Sequence, residues 1–229
     1  MVDPRKRNAL LALLLLVPAP SIGIYIAVYG APGTDFAKTF FMACKVWLLL
    51  LPLAWHLLVD KQKLTIPRPS GKGMGGAVAT GSVIFLAIGA GYFLFGHWID
   101  TTVVSEKAVE VGLSTPMLYI LGAVYWCTIN SLLEEYVWRW FVFTRCEALM
   151  PKWLAVVASG VFFTIHHIIA LTVYFDWRIT VLASLGVFIG GATWSWIYLT
   201  YRNIYAAYIS HVFADVIIFW IGYRLIFGG

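Results

Sequence analysis

The chain has 229 residues, of which 61% are hydrophobic and only 12% charged, with a mean hydropathy of +0.84 and a net charge of +5. A soluble domain of this length carries roughly twice that share of charge, so a soluble fold is excluded and an integral membrane protein is expected. The positive balance does not point to nucleic acid, because in a membrane chain the placement of charges matters more than their sum.

A membrane-spanning helix needs about 20 apolar residues, and seven runs qualify, at 8–29, 36–59, 74–98, 116–133, 153–175, 177–200 and 203–227. The fold class this predicts is an all-α, polytopic helical bundle. The first run follows the basic segment VDPRKRN like a signal peptide, but its apolar character continues through SIGIYIAVYG, too long for a cleaved h-region. It is read as a retained span. KLTIPRPSGKGMGG, after the second run, is the most linker-like segment, with Pro and Gly breaking any helical pattern. The loop DTTVVSEKAVEVG, between the third and fourth runs, is net acidic. The fourth run continues without a breaker as far as Met150 and Pro151. From Pro116 to Arg145 it is about 45 Å long as a helix, more than the hydrocarbon thickness. Its aromatic end YVWRWFVF is therefore expected to lie along the membrane interface. No internal repeat is visible, and the chain divides into an N-terminal transmembrane region, 1–115, and a helical core, 116–229.

Orientation follows from lysine and arginine. With the N-terminus in the cytosol, Arg5, Lys6, Arg7, Lys61, Lys63, Arg68, Lys72, Arg139, Arg145, Lys152 and Arg202 fall inside, against Lys38, Lys107, Arg178 and Arg224 outside. Cys44, Cys127 and Cys146 lack paired spacing, so neither a disulfide framework nor a zinc knuckle is expected.

Ionisable groups within spans are costly and are functional candidates by default. His97 at a boundary, Lys45, whose stem can snorkel, and His56 near a span end are read as structural. The remainder form a pattern. Glu135 and Arg139, four apart, share a helix face and can pair. Glu134 points about 100° away and keeps a separate direction. His211 and Asp215 are also four apart, and His166 and His167 sit side by side in FFTIHHIIA. Measured along the helices, Glu134 lies about 16 Å from Arg145, His167 about 22 Å from Lys152 and His211 about 13 Å from Arg202. Three helices thus carry acid and imidazole at similar depths.

Elimination narrows the chemistry. Ser159 lacks the turn that a serine–histidine dyad needs, Asp215 has no second intramembrane aspartate, and H-E-x-x-H is absent. Glutamate with histidines remains. A carboxylate beside a neutral imidazole can take a proton from water, and a second histidine can donate to the tetrahedral oxyanion.

E-E-x-x-x-R at Glu134, Glu135 and Arg139, then F-x-x-x-H, then H-x-x-x-D at His211 and Asp215, resembles the CPBP family, which comprises type II CAAX prenyl endopeptidases and bacterial Abi-like relatives. The resemblance covers about 116–220 and implies an intramembrane endopeptidase acting on a membrane-anchored protein or peptide. It implies that Glu134 and the motif histidine activate water. His211 and Asp215 would form the oxyanion site, and Glu135 and Arg139 would hold the helix. Asp215 stands where the family often has asparagine, so it either donates as an acid or orients His211. Phe162 reaches His166 and Phe163 reaches His167 by the same step; the small residue after Phe163 favours His167. No tightly bound metal is expected; a zinc ion, if held, would take Glu134, His167 and His211. A proton- or ion-coupled transporter and a non-catalytic immunity or scaffold protein are the competing readings, the first opposed by the absence of inverted repeats. The expected partners are the substrate and the lipid bilayer, in a prokaryotic cytoplasmic membrane.

Overall fold

The computed structural model describes residues 3–64 and 69–228. Part of the Pro- and Gly-rich linker, with Arg68, lies outside the described residues. Among the described residues there is no strand, and seven helices are long and apolar enough to cross a bilayer. They are α1 (Pro4–Gly30), α2 (Asp35–Val59), α3 (Met74–Trp98), α5 (Pro116–Leu149), α6 (Lys152–Leu171), α7 (Trp177–Tyr201) and α8 (Ile204–Phe227). Between α3 and α5 lies a short helix, α4 (Thr101–Glu110). The protein is an integral, multi-pass membrane protein of the all-α class.

Helix α4 was not expected, since its sequence reads as an acidic loop. Asp100 starts it by accepting from the backbone N–H groups of Thr102 and Val103, satisfying two of the otherwise unpaired first-turn donors. Val104 and Ala108 give it one buried stripe.

Helix α5 departs further from expectation. It runs unbroken over 34 residues, but two segments, Trp126–Asn130 and Tyr136–Phe143, have the wider π-helical turn. Between them sits the regular turn Ser131–Glu135 that carries both glutamates. Such wide turns re-aim side chains and recur at functional sites. Ser131 Oγ lies 2.7 Å from the Trp126 carbonyl oxygen, within the widened turn. The aromatic end is not interfacial. Val137, Trp138, Arg139, Phe141, Val142 and Phe143 are all buried, forming the centre of the bundle against Trp194 and Ile197 of α7 and Phe163 of α6. Arg139 is accordingly no loop cation, and it drops out of the charge asymmetry that sets orientation.

Close helix approach is made possible by small residues. Gly160 of α6 faces Ala192 of α7, and Gly191 lies against Phe163, where an added Cβ would come within 2.9 Å of the ring. Helices α3 and α8 pack in the same way at Gly81, which abuts Phe213. At the basic end of the bundle, side-chain clasps tie elements far apart in sequence. Arg145 pairs with Asp60. Arg202 forks onto both carboxylate oxygens of Glu147 at 2.6 Å. Asn203 caps α8 through Tyr205 N–H and holds the Ser70 and Lys72 carbonyls with its amide. These clasps set the relative heights of α5, α7 and α8, and so of the groups they carry.

Candidate active site

Three helices, α5, α6 and α8, carry the candidate residues, and α7 packs against them. Glu135 and Arg139 pair as their spacing predicts, with 3.1 Å between Glu135 Oε1 and Arg139 Nη1, and both side chains are wholly buried. The ion-pair contact is off the hydrogen-bonding direction of that N–H. Arg139 instead donates from Nη2 to the Gly191 carbonyl at 3.2 Å, and its guanidinium lies over the Phe163 and Trp194 rings at 4.6 and 5.0 Å. A charge buried in this way is retained only when paired and hydrogen-bonded. Its surroundings supply both, with cation–π contacts in addition.

His211 sits at the centre. Its Nδ1 is 2.9 Å from Glu135 Oε1. Since the carboxylate accepts, Nδ1 carries the proton. The ring stacks on Trp194 at 3.8 Å between centroids, with 16° between planes. Nε2 faces two further carboxylates, Asp215 Oδ1 at 3.7 Å and Glu134 Oε2 at 3.8 Å. The pairing expected within α8 is therefore not the one that holds the ring. Glu135 takes Nδ1, while Asp215 accepts from the Ser131 hydroxyl at 2.5 Å. The reason is packing: α8 lies against the regular turn of α5, so the closest carboxylate to Nδ1 comes from the neighbouring helix.

The two glutamates differ in environment. Glu135 has no exposed side-chain surface, whereas the Glu134 side chain is 23% exposed and Asp215 18%. Glu134 keeps its separate direction and also has a helical partner: the Asn130 amide, one turn earlier, donates to its Oε1 at 2.9 Å. That leaves Oε2 directed at His211.

The adjacent histidines of α6 face different ways. His167 Nδ1 lies 2.7 Å from the Phe163 carbonyl. A carbonyl can only accept, so Nδ1 carries hydrogen and Nε2 is left with a lone pair. His166 stacks flat on Trp138, 7° from parallel, and its buried Nδ1 has no hydrogen-bond partner. The Phe163 ring contacts His167 at 4.4 Å and His211 at 6.2 Å, linking the α6 and α8 imidazoles. The structure thus joins Glu134, Glu135, Arg139, His211 and Asp215 directly, His167 through Phe163, and His166 only at the margin.

Among the described residues no group of three His, Cys, Asp or Glu side chains has the spacing to hold an ion, the set Glu134, His167 and His211 included, so no step is derived through zinc.

Sequence reasoning missed Asn130, Ser131, Gly191 and Trp194. The first two carried a usable signal, since Asn130 stands four before Glu134 and Ser131 four before Glu135 on the same helix faces. Nothing local marks Trp194 or the Gly191 carbonyl, which are brought in by α7.

A protein-family model described as type II CAAX prenyl endopeptidase Rce1-like matches residues 115–217, a little under half of the chain. No curated protein and no solved structure matches the chain at a significant level. The matched segment begins at the start of α5 and runs into α8, so it contains all of the side chains just described. Over this segment the chain is similar to the Rce1-like type II CAAX prenyl endopeptidases.

Proposed function

We propose that the protein hydrolyses a peptide bond of a membrane-anchored, CAAX-type substrate by means of a water activated between Glu134 and His167. The observation that carries this reading is the division between the adjacent glutamates. Glu135 is wholly buried and neutralised by Arg139 and His211, while Glu134 keeps a partly exposed carboxylate aimed at His211 Nε2. In this mechanism Glu134 takes a proton from water as the water oxygen bonds to the substrate carbonyl carbon. The lone pair on His167 Nε2 accepts the other water hydrogen and fixes the line of attack. With Nδ1–H committed to Glu135, His211 in its doubly protonated form offers Nε2–H to the oxyanion. As the C–N bond breaks, protonated Glu134 returns its proton to the leaving amine. Asp215, held by Ser131, lies 3.7 Å from His211 Nε2 and helps to position that ring. The test is turnover of a quenched, farnesylated C-a-a-X peptide by purified protein in liposomes, with Glu134→Gln beside it. Cleavage at equal rates in both would overturn the reading.

The two histidines separate in the same assay. His167→Ala is expected to lose activity by about 10²-fold or more, the usual size of a lost acid–base or water-positioning group. His166→Ala, which removes a ring stacked on Trp138, is expected to keep activity within about tenfold. The reverse order would move the water-activating face to the other imidazole.

We further place the basic end of the bundle in the cytosol of a prokaryotic cell, on the excess of lysine and arginine there. Cys44, Cys127 and Cys146 are buried, so a membrane-impermeant maleimide reports on introduced thiols. Lys152→Cys, at an exposed site, is expected to label in inside-out vesicles and not in intact cells. Labelling in intact cells alone would invert the topology.

A further inference from the structure

Lys45 is a cation in the middle of a span. It stands ten residues, about 15 Å of helix, from the start of α2 at Asp35, and about 21 Å from its end at Val59. A lysine stem cannot carry the ammonium to either interface over such distances, so snorkelling does not account for it. Nor does pairing. Lys45 is half-buried, and its Nζ lies 5.2 Å from the centre of the Phe41 ring. Among the described residues it makes no hydrogen bond and no ion pair. Unpaired intramembrane cations are costly and mark binding sites or charge pathways.

Its position relates it to the candidate site. The Tyr136 hydroxyl of α5 donates to the Leu49 carbonyl of α2 at 3.0 Å. Lys45 lies one turn before Leu49 and Glu134 two residues before Tyr136, so the ammonium and the Glu134 carboxylate sit within about one helical turn of the same depth. The adjoining α6 imidazoles, with ring centroids 4.1 Å apart, relate the two, His167 being within electrostatic reach of Glu134. Lys45 is within electrostatic reach of His166, whose buried Nδ1 meets no acceptor or donor in good hydrogen-bond geometry. The candidate hydrolytic site uses neither group.

We propose that Lys45, beside His166, is an anion subsite that receives a carboxylate of the bound peptide. The inference rests on the peptidase reading above. A C-a-a-X motif is by definition C-terminal, so its last residue ends in a free α-carboxylate. Three extended residues reach about 10 Å, enough to pass the two adjoining imidazoles when the bond being cut is held at Glu134. Phospholipid headgroups lie at the bilayer surface, away from this depth. An acidic side chain of the tail is the other source of the same chemistry. The subsite would make the enzyme select for a chain end, in keeping with a cation held without a protein partner.

Binding can be read without turnover by using Glu134→Gln protein in detergent micelles. The probe is a fluorescein-labelled farnesyl C-a-a-X peptide, prepared as the free acid, as the C-terminal amide, and as an amide with glutamate in the last position; saturable anisotropy above empty micelles is measured. The acid is expected to bind about 10-fold or more tightly than the plain amide, as for loss of one charge-assisted hydrogen bond. Adding Lys45→Met should abolish the difference, and Lys45→Arg should keep it. If the glutamate-bearing amide matches the acid, the carboxylate subsite stands and accepts a side chain as well. Equal binding of acid and plain amide, no saturable binding of either, or an equal loss of both on Lys45→Met overturns the subsite. Wild-type turnover, run in parallel, isolates the other failure: an acid preference that depends on Lys45, without Glu134-dependent cleavage, would retain the subsite and discard the peptidase reading.

Discussion

Glu134→Gln is expected to reduce turnover by at least about 10²-fold while leaving the fold in place, because general-base catalysis by a positioned carboxylate contributes roughly 10²–10⁴-fold. The isosteric amide keeps an oxygen for the Asn130 donor, so the local hydrogen bond survives and α5 loses none of its packing. What it loses is the capacity to take a proton from water and to return it to the leaving amine. Two measurements on the same preparation decide the matter: cleavage of the quenched peptide, and thermal unfolding in the same detergent. Turnover within tenfold of wild type would remove Glu134 from the chemistry. A collapse in melting temperature would instead show that its carboxylate is structural.

Glu135 and Arg139 should behave in the opposite way. Both are wholly buried, 3.1 Å apart, and removal of one partner from such a pair costs on the order of 3–5 kcal/mol, because the other charge remains without compensation. Glu135→Ala also takes the Nδ1 partner from His211, and Arg139→Ala takes the donor to the Gly191 carbonyl and the cation between Phe163 and Trp194. Each single variant is therefore expected to lose stability in reversible unfolding from mixed micelles, and activity with it. The double replacement Glu135→Leu with Arg139→Met is expected to recover much of the stability but not the activity, since it removes both charges while His211 still lacks its carboxylate. Single variants as stable as wild type would show that the pair does not hold the helices together.

The contrast between these adjacent residues has a mechanical origin. Successive residues on a helix point about 100° apart, so one glutamate can be committed to the interior while its neighbour faces a partly open space. The wide turns on either side of Ser131–Glu135 let this happen in a helix whose following segment is buried over most of its surface.

Much of this was legible in the amino-acid sequence alone. The seven spans follow from apolar runs matched to bilayer thickness, a constraint local to each segment. The Glu135–Arg139 pair follows from helical spacing, and the similar depths of Glu134, His167 and His211 from counting residues to the basic ends. Periodicity and length do not depend on how helices are arranged, which is why they could be read without coordinates. What the sequence could not determine was the partner across each interface. Helical spacing assigned His211 to Asp215, but the ring is held by Glu135 because α8 packs against α5 at that turn, leaving Asp215 to Ser131. The aromatic stretch from Tyr136 to Phe143 looks interfacial by composition, yet α6 and α7 enclose it. Lys45 looks like a snorkelling lysine until Tyr136 fixes its helix beside α5 and shows its depth. Hydropathy and spacing act along one helix, whereas these outcomes depend on contacts between residues distant in sequence, and only the tertiary structure decides those.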